Sequence, residues 1–317
     1  MKKLAKGILA FSCMAAMVFA SSCGDTVKNG SKIDAGKITL NYIDKDGEEK
    51  TRAINFELYV NYAPATTEHF EYLAGKGYYD GTVMSNVSSY AEFGAFTQKD
   101  GLLSSKYEKD AEKGYYSFIT KEYSLNKYLG SDKTVARYAE DLSINGEFAE
   151  NGFGGNKLGL TGGSIVLKRD IDTDSPSSAY NTGKATMAIT FGSSAYFASA
   201  ERFAVIGKIL SDDSSKFSDK KSSLEFLQAL MAELDADSDG NSYWYYGKAD
   251  SEHVGNNDRY LMKDKDGAYY IKDASGHYTV ELDETEDKDF LKELSEQAAY
   301  LNNLPYHTVT IVSVKIG

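Results

Sequence analysis

The sequence is poor in the residues that build covalent or metal-held frameworks. Its 317 residues include two cysteines, Cys13 and Cys23. That number excludes a disulfide framework and a cysteine-based metal site. Four histidines (His69, His253, His277, His307) are scattered along the chain, and none has the HExxH spacing of a helical zinc site. No metal and no cofactor are expected. Proline occurs three times and tryptophan once, against 24 tyrosines and 15 phenylalanines. Such a composition suits a β-rich folded chain rather than a disordered one. Positive charge is also short: 35 Lys and Arg face 47 Asp and Glu, for a formal net charge of −12. The basic footprint that nucleic acid requires is missing, so no nucleic-acid partner is expected.

The N-terminus reads as a targeting segment rather than as part of the fold. Lys2, Lys3 and Lys6 precede an apolar run from Gly7 to Phe19, and Ala20-Ser21-Ser22-Cys23-Gly24 follows. The apolar run is too short to span a bilayer comfortably. Small residues directly before a cysteine resemble a bacterial lipoprotein signal, in which the cysteine becomes the lipid-bearing N-terminus. An ordinary secretory signal cleaved near Ala20 is the alternative. On the first reading residues 1–22 are removed, Cys23 is lipidated, and 23–37 form a polar, glycine-bearing tether. The mature protein is then extracytoplasmic and lipid-anchored to a bacterial membrane. Loss of the three lysines takes the net charge from −12 to about −15.

The most informative stretch runs from Ile54 to Val87. Ile54-Asn55-Phe56-Glu57-Leu58-Tyr59 alternates apolar and polar residues, as a half-buried strand does. An earlier strand, Lys37 to Tyr42, is joined to it through the turn word Asp44-Lys45-Asp46-Gly47. Ala63-Pro64-Ala65-Thr66 is a helix start, because proline fits the first turn, where no donor is needed. Thr67, Phe70, Leu73 and Ala74 then make an apolar stripe at helical spacing, and Gly75 and Gly77 stop it. Tyr78-Tyr79-Asp80-Gly81-Thr82 turns into a further strand around Val83.

This order of words resembles the opening of the cyclophilin family of peptidyl-prolyl isomerases: ELY, AP-x-T, a helix ending LA-x-x-G, then YDG-T. More of the pattern returns downstream. Phe96-Thr97-Gln98 resembles the family's Phe-x-x-Gln segment, and Ile144 to Phe153 the bacterial branch's I-K-G-E-F-x-x-N-G. Thr161 to Arg169 follows the outline of T-R-G-V-I-S-M-A-R. Lys184-Ala185-Thr186-Met187-Ala188-Ile189 stands where the family has S-S-Q-F-F-I, and Phe203 to Ile209 resembles Y-A-V-F-G-K-V. A second frame places Ser177-Ser178-Ala179-Tyr180 at the S-S-Q-F position and needs a longer insertion after it. The last strand, after Pro305, resembles the one that closes the family's barrel. The resemblance implies a mainly β fold with a few helices, a cyclophilin-like closed antiparallel β-barrel over 38–317. Two long insertions interrupt it, at about 100–142 and 210–303.

The implied activity is rotation about X-Pro bonds, in a proline-containing peptide or unfolded protein segment. The barrier is roughly 18–20 kcal/mol, because the amide is conjugated. In the family an apolar pocket grips the ring and an arginine hydrogen-bonds the amide as conjugation is lost. Here the family's Phe-His-Arg-Val is Met84-Ser85-Asn86-Val87, so Asn86 holds the arginine position. Asparagine is neutral and shorter and delivers no charged fork. One lost charge-assisted hydrogen bond is worth about 1.5–3 kcal/mol, roughly ten- to a hundredfold in rate. The pocket is degraded as well, with Thr186, Met187 and Ala188 in place of a glutamine and two phenylalanines. Ala198 and Ser199 stand at a tryptophan or leucine wall. The groove candidates are Phe96, Gln98, Thr186, Met187 and Phe203. Catalysis is expected to be weak or lost, and a non-catalytic peptide- or protein-binding lipoprotein on the same scaffold is the alternative.

Within 210–303, Ser222-Ser223 caps a helix with Leu224, Leu227, Leu230, Met231 and Leu234 on its apolar face. Tyr260-Leu261-Met262, Ala268 to Ile271 and His277 to Val280 read as short strands, and Lys288 to Leu301 as a second helix. Asp235 to Gly240 copies the first half of a calcium loop, but its twelfth position is Tyr246 rather than glutamate, so an acidic turn is the simpler reading.

Overall fold

The computed structural model describes residues 27–28, 31–44, 48–85, 87, 89–99, 102–107, 114–122, 142–170, 174–192, 203–235, 245–248, 260–263, 269–272, 278–282 and 308–317. Strand β1 (Ile33–Ile43) and β2 (Glu49–Tyr59) form a long antiparallel hairpin, with Ile43 opposite Glu49 and Ile33 opposite Tyr59. Asp44 N–H closes the turn onto Glu48 O at 3.0 Å. The strand therefore begins at Ile33 rather than at Lys37.

Helix α1 (Pro64–Gly75) starts on its proline and buries Thr67, Phe70, Leu73 and Ala74, the stripe read from the sequence. No side chain of its own caps it. Both oxygens of Glu147 do so instead, accepting from Ala65 N–H (3.1 Å) and Thr66 N–H (2.8 Å). A carboxylate at a helix N-terminus satisfies orphan donors and complements the helix dipole.

The short strands β3 (Tyr90–Phe93), β6 (Ser164–Leu167), β7 (Met187–Thr190) and β8 (Val205–Ile209) continue the sheet, and β13 (Thr310–Ile316) lies on the far side of β1. The strand order is β13-β1-β2-β8-β6-β7-β3, with every neighbouring pair antiparallel. Its two edges are joined by the segment Gly81–Ser85. On one side Gly81 N–H donates to Ile311 O (2.8 Å), Ile311 N–H to Thr82 O (2.7 Å) and Met84 N–H to Val309 O (2.8 Å). On the other, Ser85 and Glu92 exchange N–H···O bonds of 2.9 and 2.8 Å. The sheet is thus a closed antiparallel barrel, with no free edge at this seam. Where β8 passes β2, a Cβ on Gly207 would collide with Glu57 O, so the close approach requires glycine.

Alternation along each strand sets the two faces. Ile38, Leu40, Ile54, Phe56, Leu58, Met84, Ala91, Phe93, Ile165, Leu167, Met187, Ile189, Ile206 and Ile311 belong to one interior cluster with Phe70 and Leu73 of α1. Both expected insertions contribute to it. β4 (Phe96–Lys99) and β5 (Leu102–Ser105) form a two-stranded ribbon, and α2 (Tyr115–Glu122) inserts Tyr115 and Ile119 into the core. Helix α3 (Ser223–Asp235) adds Leu224, Leu227, Leu230 and Met231. Ser222 and Glu225 exchange a reciprocal capping box (2.8 and 3.2 Å), as the double serine suggests. Residues 210–235 are therefore part of the barrel's packing, not an appendage to it.

β9 (Tyr245–Lys248), β10 (Tyr260–Lys263), β11 (Tyr269–Lys272) and β12 (Tyr278–Leu282) make a separate four-stranded sheet, ordered β12-β11-β10-β9. The β9–β10 pair is parallel. The expected helix over 288–301 and the half calcium loop beyond Asp235 lie outside the described residues.

Candidate functional site

The wall formed by β6, β7 and β3 holds the site positions, and its registers decide which side chains share its outer face. Val166 is opposite Ala188, and Ala188 is opposite Glu92. Lys168 N–H donates to Thr186 O at 2.8 Å, which continues the same outer rows. Successive residues of a strand point to opposite faces. Thr186, Ala188 and Thr190 therefore face outward, whereas Met187 and Ile189 join the interior cluster. Met187 is accordingly a core residue and not part of a groove, a correction to the sequence reading. Of the two frames, the one at 184–189 leads into and falls on β7, and the one at 177–180 falls on and just after a short 3-10 helix.

Two other expected groove residues lie elsewhere. Phe96 and Gln98 are on β4, paired with β5. Phe96 O accepts from Val83 N–H (2.9 Å), and Gln98 Oε1 accepts from Thr308 Oγ1 (2.6 Å). The strand beside β7 is Tyr90–Phe93 instead. Phe203 does lie on the outer face, just before β8, in a second apolar cluster with Tyr59, Tyr62, Tyr90, Leu158, Leu160, Val166, Ala188 and Val205. Asn86, Ala198, Ser199 and Cys23 fall outside the described residues.

The outer face is closed by the chain's own side chains. Ala188 is 0 % exposed and Phe203 5 %. Beside them an ion pair crosses the wall: Lys168 Nζ lies 2.6 Å from Glu92 Oε1 and 2.8 Å from Oε2. Lys168 directly follows β6 and Glu92 lies on β3, with β7 between those strands. The bridge passes the row where β7 carries only the methyl of Ala188, so the small residue leaves room for it. The Glu92 side chain is 5 % exposed and that of Lys168 29 %. Ser85, hydrogen-bonded to Glu92 through its backbone, ties this pair to the segment that leads into Asn86.

Residues beyond the resemblance complete the site. Tyr107, in the first expected insertion, accepts a hydrogen bond from Ala185 N–H (3.1 Å) and shares one with Thr186 Oγ1 (2.5 Å). Burial is the main reason its phenol is pushed up to about 12, so it stays protonated. His69 of α1 donates from Nε2 to Lys184 O at 2.6 Å, and Tyr79 Oη donates to Ala185 O at 3.2 Å. Three side chains from separate elements thus fix the stretch entering β7. Burial lowers His69 to about 4, so it is neutral at neutral pH. The sequence signal for Glu92 and Lys168 was their placement on otherwise apolar strands. Among the described residues no group of three or more His, Cys, Asp or Glu is arranged to hold a metal.

Chemically, this face presents an ion pair, hydroxyls and a filled apolar cluster. Among the described residues no nucleophile–base pair emerges from it. The described residues bring no guanidinium to the seam at Ser85.

Residues 46–136 match the family model of cyclophilin-type peptidyl-prolyl cis-trans isomerases. That span covers β2, helix α1, the barrel-closing segment, β3, β4, β5 and α2. Similar solved structures include a Cryptosporidium parvum cyclophilin-type peptidyl-prolyl cis-trans isomerase crystallised in the presence of the dipeptide Ala-Pro. It is 14 % identical, with 64 % of this chain and 90 % of that one covered and a TM-score of 0.28. The Mimivirus cyclophilin is 14 % identical over 68 % of this chain and 87 % of that one, with a TM-score of 0.34. A cyclophilin from Hirschia baltica is 13 % identical over 56 % and 66 %, with a TM-score of 0.25. No curated protein sequence matches the chain.

Proposed function

We propose that this protein is an extracytoplasmic, lipid-anchored isomerase-like protein whose X-Pro isomerisation is weak or lost. Its partner class is a proline-containing peptide or an unfolded protein segment. The isomerase-like character rests on the family match over residues 46–136. The attenuation is supported above all by the outer face. Ala188 is fully buried, and the Glu92–Lys168 pair occupies the wall beside it. A proline ring entering there has to displace protein side chains or desolvate an ion pair, and each step costs binding energy. Asn86 adds the loss of the charged donor. The anchor is supported by the lysine-flanked apolar run that ends at Ala20-Ser21-Ser22-Cys23.

A protease-coupled assay on a proline tetrapeptide tests the reading. Wild-type protein is expected to leave the rate near the uncatalysed one, and Asn86→Arg alone to raise it by less than the roughly ten- to hundredfold that one charge-assisted bond is worth, because the outer face stays filled. Wild-type turnover equal to that of an arginine-bearing cyclophilin would overturn it.

A further inference from the structure

The chain is fastened to the barrel almost as soon as the sequence leaves Cys23. Val27 is half-buried against the outer cluster that holds Tyr59 and Tyr62. Lys28 N–H donates to Tyr62 Oη at 2.7 Å, and Val60 N–H donates to Lys32 O at 3.2 Å. A turn between these points is closed by Ser31 N–H on Lys28 O (3.2 Å). An extended chain covers at most about 3.3–3.6 Å per residue, so the stretch from Cys23 to Val27 spans no more than about 14 Å. Whatever holds Cys23 holds this corner of the barrel within that reach.

The corner has a composition suited to a lipid surface. Ile33, opposite Tyr59 in the hairpin, is 46 % exposed, one of few large apolar side chains on the described surface. Lys28 and Lys32 are exposed beside it, Lys32 lying 3.0 Å from Asp34. Ile33 offers the headgroup boundary of a bilayer an apolar tip and Lys28 a cation for anionic lipid, while Lys32 is paired with Asp34 beside Glu71. The other end of the same strand is remote. β2 has 11 residues, which puts Glu49 on the order of 33 Å from Tyr59.

We infer that the Tyr59–Tyr62 corner, with Ile33, Lys28 and Lys32, is the face this protein lays against the bilayer. The barrel then stands on the membrane with the β1–β2 turn pointing away, rather than drifting on a free tether. The inference rests on the reading of Cys23 as lipidated.

The test uses full-length lipidated protein on vesicles of phosphatidylcholine and phosphatidylglycerol containing a spin-labelled lipid. A fluorophore is placed at Asn61→Cys, an exposed position on the corner, or at Glu49→Cys on the far turn. Strong quenching at position 61 with none at 49 is expected. Tyr62→Phe, which removes the Oη that receives Lys28 N–H, should reduce the quenching at 61. So should a Gly/Ser spacer of roughly ten residues after Asp25, which adds on the order of 18 Å of mean reach. A lipid adduct on Cys23 with equal quenching at both positions overturns the inference alone. Absence of both the adduct and vesicle binding overturns the anchor reading, and the inference with it.

Discussion

The two faces of the wall formed by β6, β7 and β3 come from the same residues of chain and are built on different terms. Inward, Ile165, Leu167, Met187, Ile189, Ala91 and Phe93 meet helix α1 in one apolar cluster. Outward, the same strands and the residues adjoining them carry Lys168, Thr186, Ala188 and Glu92, where the family resemblance implies an aromatic pocket. The inner face answers only to volume and water exclusion, so any apolar residue of about the right size keeps it. The outer face carries only the methyl of Ala188 opposite Glu92, and the Glu92–Lys168 ion pair lies beside it. The barrel can therefore persist while its surface chemistry changes.

Strand β3 alone allows the comparison to be tested at its strongest point. Phe93 is fully buried on the inner side, with its ring 5.3 Å from that of Tyr79. Phe93→Ala should cost about 3–5 kcal/mol in chemical denaturation, since a cavity is added to the lost transfer energy. A loss as small as that of an exposed substitution would mean that the inner face is not the packed one.

The next effect comes from the helix that fills the barrel. His69 is held neutral by burial, its value lowered from 6.5 to about 4. Because the unfolded chain binds the proton first, stability is fully present above pH 6.5 and falls as the pH drops from 6.5 towards 4. Full integration amounts to about 3 kcal/mol. Denaturation midpoints across this range should show the slope, and His69→Gln should flatten it. An unchanged slope in that variant would move its origin elsewhere.

Most of the inner face was legible in the sequence. Period-2 alternation gave β2, proline and a helical stripe gave α1, and the double serine gave the start of α3. The outer face was less so. Register is decided by hydrogen-bond partners far away in sequence, and Phe96-Thr97-Gln98, with its glutamine, resembles the family's Phe-x-x-Gln segment more than Tyr90–Phe93 does. Only the β3–β7 register shows that the latter lies on the wall. Met187 was misplaced for a related reason: adjacent strand residues look alike as a word but face opposite ways. Tyr107 was invisible because its segment has no counterpart in the family's pattern. Glu92 and Lys168 are 76 residues apart, and no local signal pairs them.

The smallest expected effect is the one that separates the two faces most cleanly. Lys168→Met leaves Glu92 as a mostly buried carboxylate without its ammonium partner. The loss should be about 1–3 kcal/mol, below that of a fully buried pair because Lys168 keeps part of its side chain in water. Adding Glu92→Met removes the stranded charge and places two apolar side chains beside Ala188. The double variant should recover to near wild-type stability, so that the cycle reports a coupling opposite in sign to the single losses. If the pair were instead required by the fold, the double variant would be no better than Lys168→Met. Recovery would mean that the ion pair is a surface feature written over an intact barrel, and that the outer wall is open to apolar refilling.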